Sequence, residues 1–128
     1  MKRHIEAVGA LFVENGKVLA FEKGETKYPY TSHKFEFPGG KPEPGENPKQ
    51  ALMRELREEL DMTAEGYDVF DSVTYEYPDF TVTLRVYLCR RTSGYTLKEH
   101  TRVAAIASSD LRDEEWAPAD GKILRKIK

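Results

Sequence analysis

The stretch Gly39-Gly40-Lys41-Pro42-Glu43-Pro44-Gly45-Glu46-Asn47-Pro48-Lys49-Gln50-Ala51-Leu52-Met53-Arg54-Glu55-Leu56-Arg57-Glu58-Glu59-Leu60-Asp61-Met62 decides how the rest of the chain is read. It has the form of a glycine-bearing loop that runs straight into a short, acid-loaded helix. Asn47 suits the N-cap, Pro48 the first helical position, and Gln50 completes a capping box with Asn47. At about 100° per residue, Leu52, Met53, Leu56 and Leu60 share one stripe that must face a core. Glu55, Glu58 and Glu59 fall at i, i+3 and i+4 beside that stripe. Like charges at this spacing repel, and carboxylates near a helix C-terminus oppose the macrodipole. Two readings of the helix follow: a solvated face on which Arg54 and Arg57 pair with the acids, or a platform for a hard divalent cation.

The loop decides between them. The spacing Gly-x5-Glu-x7-Arg-Glu-Leu-x-Glu-Glu, carried by Gly40, Glu46, Arg54, Glu55, Leu56, Glu58 and Glu59, resembles the Nudix box of nucleoside-diphosphate-linked hydrolases. Six of these positions are glycine or charged, each with a chance of about 6–7% by composition, so coincidence is on the order of one in ten million. The chain departs from the box at one place, where Asp61 stands for the usual glycine before the hydrophobic Met62. A left-handed conformation there costs an aspartate about 1 kcal/mol.

Composition narrows the functional classes. A chain of 128 residues predicts one domain, 1–128, with a core of its own. A third of the residues are charged, yet the net charge is −2, so no bulk field points to nucleic acid or a membrane. The one cysteine, Cys89, sits in an apolar run and reads as packing, and with no internal disulfide available a reducing cytoplasm is expected. The first residues lack a signal-peptide core, and no apolar run approaches the ~20 residues of a membrane span.

Along the chain, His4 to Val13 and Lys17 to Glu22 read as strands joined at the turn Asn15-Gly16. Lys23 to His33 reads as a loop, and Phe35 to Pro38 as a short extended piece before the glycine pair. Tyr67 to Tyr77 and Phe80 to Arg90 alternate as an antiparallel hairpin about Pro78-Asp79, and Val103 to Ala107 makes a short strand. Ser109-Asp110 suits a single helical turn. Asp120 is read as the N-cap of a last helix whose buried stripe is Ile123, Leu124 and Ile127. Its basic residues Lys122, Arg125, Lys126 and Lys128 match what the macrodipole favours near a C-terminus. The fold expected is α+β, an α/β/α sandwich with a mixed, largely antiparallel sheet and two main helices.

Clustered carboxylates without a histidine or cysteine set favour Mg²⁺, or Mn²⁺, over zinc. Such ions hold phosphate oxygens and lower the pKa of bound water, which suits water attack on a phosphoanhydride. The resemblance implies roles residue by residue. Glu58 and Glu59 would be the main carboxylate ligands, joined by a carbonyl of Gly39 or Gly40. Glu55 would hold metal or deprotonate the water, Arg54 would fix the acids, Glu46 would support the loop, and Glu99 would add a later acid.

Ala7-Val8-Gly9, Phe35-Glu36-Phe37-Pro38-Gly39-Gly40-Lys41, Tyr75-Glu76-Tyr77-Pro78-Asp79 and Trp116-Ala117-Pro118-Ala119-Asp120 are similar to the MutT-type branch. That branch converts nucleoside triphosphates to monophosphate and pyrophosphate, notably 8-oxo-dGTP. By matching position Lys23, Glu36, Phe37 and Asp79 would line the nucleotide pocket and Asp120 would read the base edge. The sanitising member of the branch has Asn at that place. Pro118-Ala119-Asp120 and Glu99-His100 also resemble a CTP/dCTP pyrophosphohydrolase branch, although Trp is absent near Ala105. A nucleoside triphosphate is the partner implied, for a monomer or small homo-oligomer. Hydrolysis of other nucleoside diphosphate derivatives and non-catalytic nucleotide sensing are the alternatives; sensing modules usually lose box acids, and none is lost here.

Overall fold

Residues 8–12 of the first strand are buried on both sides, which places that strand at the centre of the molecule. The structure is a computed structural model and describes residues 2–128. Its strands are β1 (Arg3–Glu14), β2 (Lys17–Lys23), β3 (Phe35–Glu36), β4 (Gly39–Gly40), β5 (Ala64–Glu76), β6 (Phe80–Arg91) and β7 (His100–Ala107). Its helices are α1 (Pro48–Leu60) and α2 (Pro118–Ile127), with two single 3₁₀ turns, Ser108–Asp110 and Asp113–Glu115, before α2.

Strand alternation divides the core in two. Val8, Ala10 and Phe12 of β1 meet Ala51, Leu52, Leu56 and Leu60 of α1, together with Phe21, Tyr87 and Cys89. Leu11 of β1 turns the other way and joins Val82, Leu84, Val86 and Trp116 against Ala119, Ile123 and Leu124 of α2. Each helix thus covers one side of a sheet layer, the expected α/β/α sandwich. Met53 sits at the margin of its cluster, half-buried, while Ala51 takes the fully buried place. Cys89 packs in the same cluster, and burial pushes its thiol up to about 12, which leaves it an apolar filler.

The sheet is mixed. β1 runs parallel to β6 from Arg3↔Phe80 to Phe12↔Cys89, and β6 pairs antiparallel with β5. On its other edge β1 accepts the two-residue β4, with Gly9 opposite Gly39. Asn15 and Gly16 both adopt positive φ, as a tight hairpin turn requires. The hairpin is brief: Val13↔Val18 and Glu14↔Lys17 pair, after which β2 leaves β1 and pairs with β7 and β3. The splay between β1 and β2 opens the space that the functional site occupies. β7 begins at His100, three residues before the strand expected from alternation, because it continues along β2 through a bulge at Glu22/Lys23.

Both helix starts follow proline. Asn47 caps α1, accepting from the Gln50 amide at 2.9 Å, and the Gln50 side chain accepts from the Asn47 amide at 3.1 Å. Asp120 is not the N-cap of α2. Pro118 claims the first helical position, Ala117 precedes it, and Asp120 falls inside the first turn with its carboxylate free to bond elsewhere.

α1 ends on Asp61, which adopts φ 50° and ψ 42° in the left-handed region. Its amide donates to the carbonyls of Arg57 and Leu56 and closes the helix. A Cβ in that conformation is strained, by about 1 kcal/mol or more for a residue without a local polar side chain. Asp61→Ala is therefore expected to destabilise the protein by about 1 kcal/mol relative to Asp61→Gly. Chemical denaturation of the two variants checks this, with equal midpoints as the contrary result.

Candidate active site

Gly40 has no room for a side chain. A Cβ there would collide with the carboxylate of Glu55, so the β4 backbone lies directly on the acidic face of α1. Below that contact Arg54 ties loop to helix. Its Nε and Nη2 grip the two oxygens of Glu46 at 2.8 and 3.0 Å, Nη1 donates at 2.8 Å to both Glu55 and Glu58, and Nη2 reaches the Lys41 carbonyl at 3.0 Å. A planar guanidinium can fork in this way; an ammonium cannot. The Arg54 guanidinium holds the Glu46 carboxyl below its ordinary range.

Above this brace lies a cavity of about 510 Å³, open on one side. Glu59, Glu99, Gly39 and Gly40 line it, as do Lys23, Glu36, Phe37 and Asp120. The apolar floor is made by Ile5, Ala7, Val82 and Leu84, and Tyr28, Tyr77 and Phe80 close the rim. The loop between β2 and β3 is ordered around Thr26, whose hydroxyl lies within hydrogen-bond reach of Tyr28, Thr31 and Ser32. Tyr28 stacks on Tyr30, which stacks on Tyr77 at 4.9 Å.

The acids behave unequally. Glu59 is the one that faces the cavity in a crowd: burial, a hydrogen bond with Glu55, and the charges of Glu36, Glu55 and Glu99 push it up to about 9. Each of these effects disfavours its ionised form. Glu55 lies under Gly40, between Arg54 and Glu59. Glu58 is half-exposed, bound to Arg54 and outside the cavity lining, one step round the helix from the other two. Glu99, from the loop before β7, does come to Glu59. Glu55, Glu59 and Glu99 supply carboxylate oxygens, the donor type that a hard divalent ion takes.

Asp120 is buried, and its Oδ2 accepts from the Phe37 amide at 2.9 Å. Burial, then the charge of Glu36, raise its carboxyl to about 7. Lys23 Nζ stands 3.5 Å from Glu36 Oε1. Asp79 is the one expected pocket residue that does not line the cavity: it accepts from the Tyr30 hydroxyl at 2.7 Å, outside the rim. His100 was absent from the ligand set expected from the acids, and the structure brings it in. Its Nε2 lies 2.8 Å from Glu36 Oε2, and an atom of each of Glu36, Glu59 and His100 lies within 4.8 Å of the others. The Glu99-His100 pair was the available sign, but which wall His100 faces depends on the β2–β7 register.

A family model described as "NUDIX domain" matches residues 2–127. The chain belongs to the Nudix family. It is similar to an 8-oxo-dGTP diphosphatase of Escherichia coli (strain K12), 33% identical over 129 residues that cover 100% of this chain and 98% of that protein. It is likewise similar to a CTP pyrophosphohydrolase of the same organism, 34% identical over 94% of this chain and 88% of the other. Among solved structures, that of the E. coli ORF135 protein superposes with a TM-score of 0.84 at 28% identity, over 98% of this chain and 89% of that one. The protein is accordingly a Nudix hydrolase that acts on phosphoanhydrides of nucleotides, in a family that uses divalent metal ions. Among the described residues, no helix is long and apolar enough to cross a membrane.

A divalent ion seated against Glu59 has to displace its proton. Adding Mg²⁺ at pH 7 is expected to release close to one proton per site, and the release should fade as pH rises past about 9, where the metal-free carboxyl is already ionised. Calorimetric titration in two buffers of different ionisation enthalpy measures it. Heats identical in both buffers would show that Glu59 is ionised beforehand.

Proposed function

We propose that this Nudix hydrolase is a Mg²⁺-dependent nucleoside triphosphate pyrophosphohydrolase of MutT type, releasing monophosphate and diphosphate, with 8-oxo-dGTP as the leading substrate class. The observation that carries this reading is that one cavity is lined both by Glu59 with the Gly39–Gly40 backbone and by the buried, hydrogen-bonding Asp120. A phosphate chain suits the first and a base edge the second. The E. coli relative named 8-oxo-dGTP diphosphatase aligns over the whole chain.

Bound Mg²⁺ supplies charge neutralisation of the phosphate oxygens and a more acidic water. Glu59 and Glu99, with the Gly39–Gly40 backbone, would hold it. Glu55, next to Glu59, would orient the attacking water and take its proton. Arg54 keeps Glu55 from rotating away, and Glu46 anchors Arg54. Glu58 would enter only by turning from Arg54. Lys23 offsets charge at the wall, and Phe37 presents its amide to Asp120 and its ring to Trp116. Asp79 acts through Tyr30, as a support of the rim. The protein works as one domain, as a monomer or small homo-oligomer, without nucleic acid or membrane. It is placed in the cytoplasm, where nucleoside triphosphates are found.

An assay with 8-oxo-dGTP, dGTP, dCTP and CTP should yield diphosphate rather than orthophosphate. Glu59→Gln is expected to lower kcat by a factor of about 10² or more with an unchanged circular dichroism spectrum. Orthophosphate as the product, or full activity in that variant, would falsify the proposed site.

A cytosine substrate is the second reading, favoured by Asp120 and by the CTP pyrophosphohydrolase relative. The two separate by pH. A guanine-type base offers two adjacent donors, N1–H and the 2-amino group, whereas cytosine offers a donor beside the acceptor N3. Protonated Asp120 both donates and accepts; ionised Asp120 only accepts. The ratio of kcat/KM for 8-oxo-dGTP over dCTP should therefore rise, by about tenfold, as pH passes upward through about 7. Asp120→Asn should flatten it. A ratio independent of pH in the unsubstituted enzyme removes Asp120 from base selection.

A further inference from the structure

Glu36 comes from β3, Glu59 from the last turn of α1 and His100 from the first residue of β7, so three separate elements deliver ligand-type atoms to one wall of the cavity. The imidazole is held there. Its side chain is 3% exposed and it meets the Phe21 ring edge-on at 5.5 Å, which fixes the ring in the cavity lining. One ring nitrogen faces Glu36, and the other, Nδ1, is buried without a partner. Nε2 is thus the ring nitrogen turned toward Glu36, and an ion held there would take the place of its hydrogen bond to that carboxylate.

We infer that Glu36, Glu59 and His100 form a second divalent-cation site, beside the box site and sharing Glu59 with it, in which an imidazole nitrogen selects Mn²⁺, Co²⁺ or Zn²⁺ over Mg²⁺. Two of its three residues lie outside the box, and it depends on the proposed function only through Glu59. The distances suit an ion. Octahedral ligands at about 2.1 Å stand about 3.0 Å apart when adjacent and about 4.2 Å when opposite. His100 Nε2 and Glu36 Oε2 are 2.8 Å apart, and the three ligand atoms lie within 4.8 Å of one another, so closure on an ion takes shifts of about half an ångström.

The charges suit one as well. Lys23 approaches the other oxygen of Glu36, Oε1, at 3.5 Å, and its side chain is 40% exposed, so it can stay or withdraw without uncovering the wall. Glu59 is faced by Glu36, Glu55 and Glu99. The ion class follows from the donors. Mg²⁺ keeps oxygen ligands and waters, whereas imidazole nitrogen strengthens binding of first-row transition ions.

The test uses the full chain without nucleotide, loaded with Mn²⁺ and examined by electron spin echo envelope modulation. The expected result is ¹⁴N modulation from a directly bound imidazole in the unsubstituted protein. His100→Gln should abolish it and weaken Mn²⁺ binding by about tenfold or more, while Mg²⁺ binding, measured by calorimetry, changes less than twofold. Glu36→Gln, which keeps the ring, gives a second variant in case the first folds poorly, and should also weaken Mn²⁺. Bound Mn²⁺ with oxygen-only surroundings overturns this inference and leaves the box site standing. Modulation that persists in His100→Gln overturns it too, and failure to bind Mn²⁺ or Mg²⁺ at all removes both sites.

Discussion

One guanidinium holds a set of mutually repelling carboxylates in place. Arg54 makes two bonds to Glu46, one each to Glu55 and Glu58, and one to the Lys41 carbonyl. Without such a partner, Glu55 and Glu58 would repel and turn to solvent. With it, α1 keeps an acidic face pressed against the backbone of β4, close enough that Gly40 cannot carry a Cβ. Leu52, Leu56 and Leu60 anchor the opposite face of the helix in the core, so the acids cannot relax by rotating the helix. Burial and the charges of Glu36, Glu55 and Glu99 converge on Glu59 and disfavour its ionised form.

The sheet sets the distance between the two ends of the site. Residues 8–12 of β1 are buried, β4 pairs along its edge, and β2 peels away after two pairs. α1 and β4 bring Glu59, Gly39 and Gly40 to the resulting cleft, and α2 and β3 bring Asp120 and Glu36. Both Phe37 and Gly39–Gly40 belong to one short segment, so the hydrogen bond from Phe37 to Asp120 and the contact of Gly40 with Glu55 are mechanically linked.

Local signals were legible wherever they depended on neighbours in sequence. The Asn47–Gln50 cap, Pro48, the leucine stripe, the Asn15-Gly16 turn and the left-handed Asp61 are all decided within a few residues, and the structure has them where the sequence put them. Asp120 suits a cap because an acid near a helix start fits one, but Pro118 begins the helix two residues earlier and Ala117 stands at the cap. Asp79 was placed in the pocket by resemblance, yet Tyr30 stacks on Tyr77 and draws the carboxylate outside. His100 could not be assigned a wall from its neighbours, because its orientation follows the β2–β7 register and the bulge beside Lys23.

By itself the sequence determined the bond class that is attacked, since the box spacing on a capped helix fixes which acids share a face, and it determined the alternation that makes an α/β/α sandwich. Only the tertiary structure decided which carboxylate is crowded enough to keep a proton, that Glu58 faces away, and that Asp120 and His100 enter the same cavity. The physical reason is range. Caps, stripes and turns are settled by atoms a few residues apart, whereas burial and the sum of charges at Glu59 or Asp120 depend on side chains from four or five elements brought together by the fold.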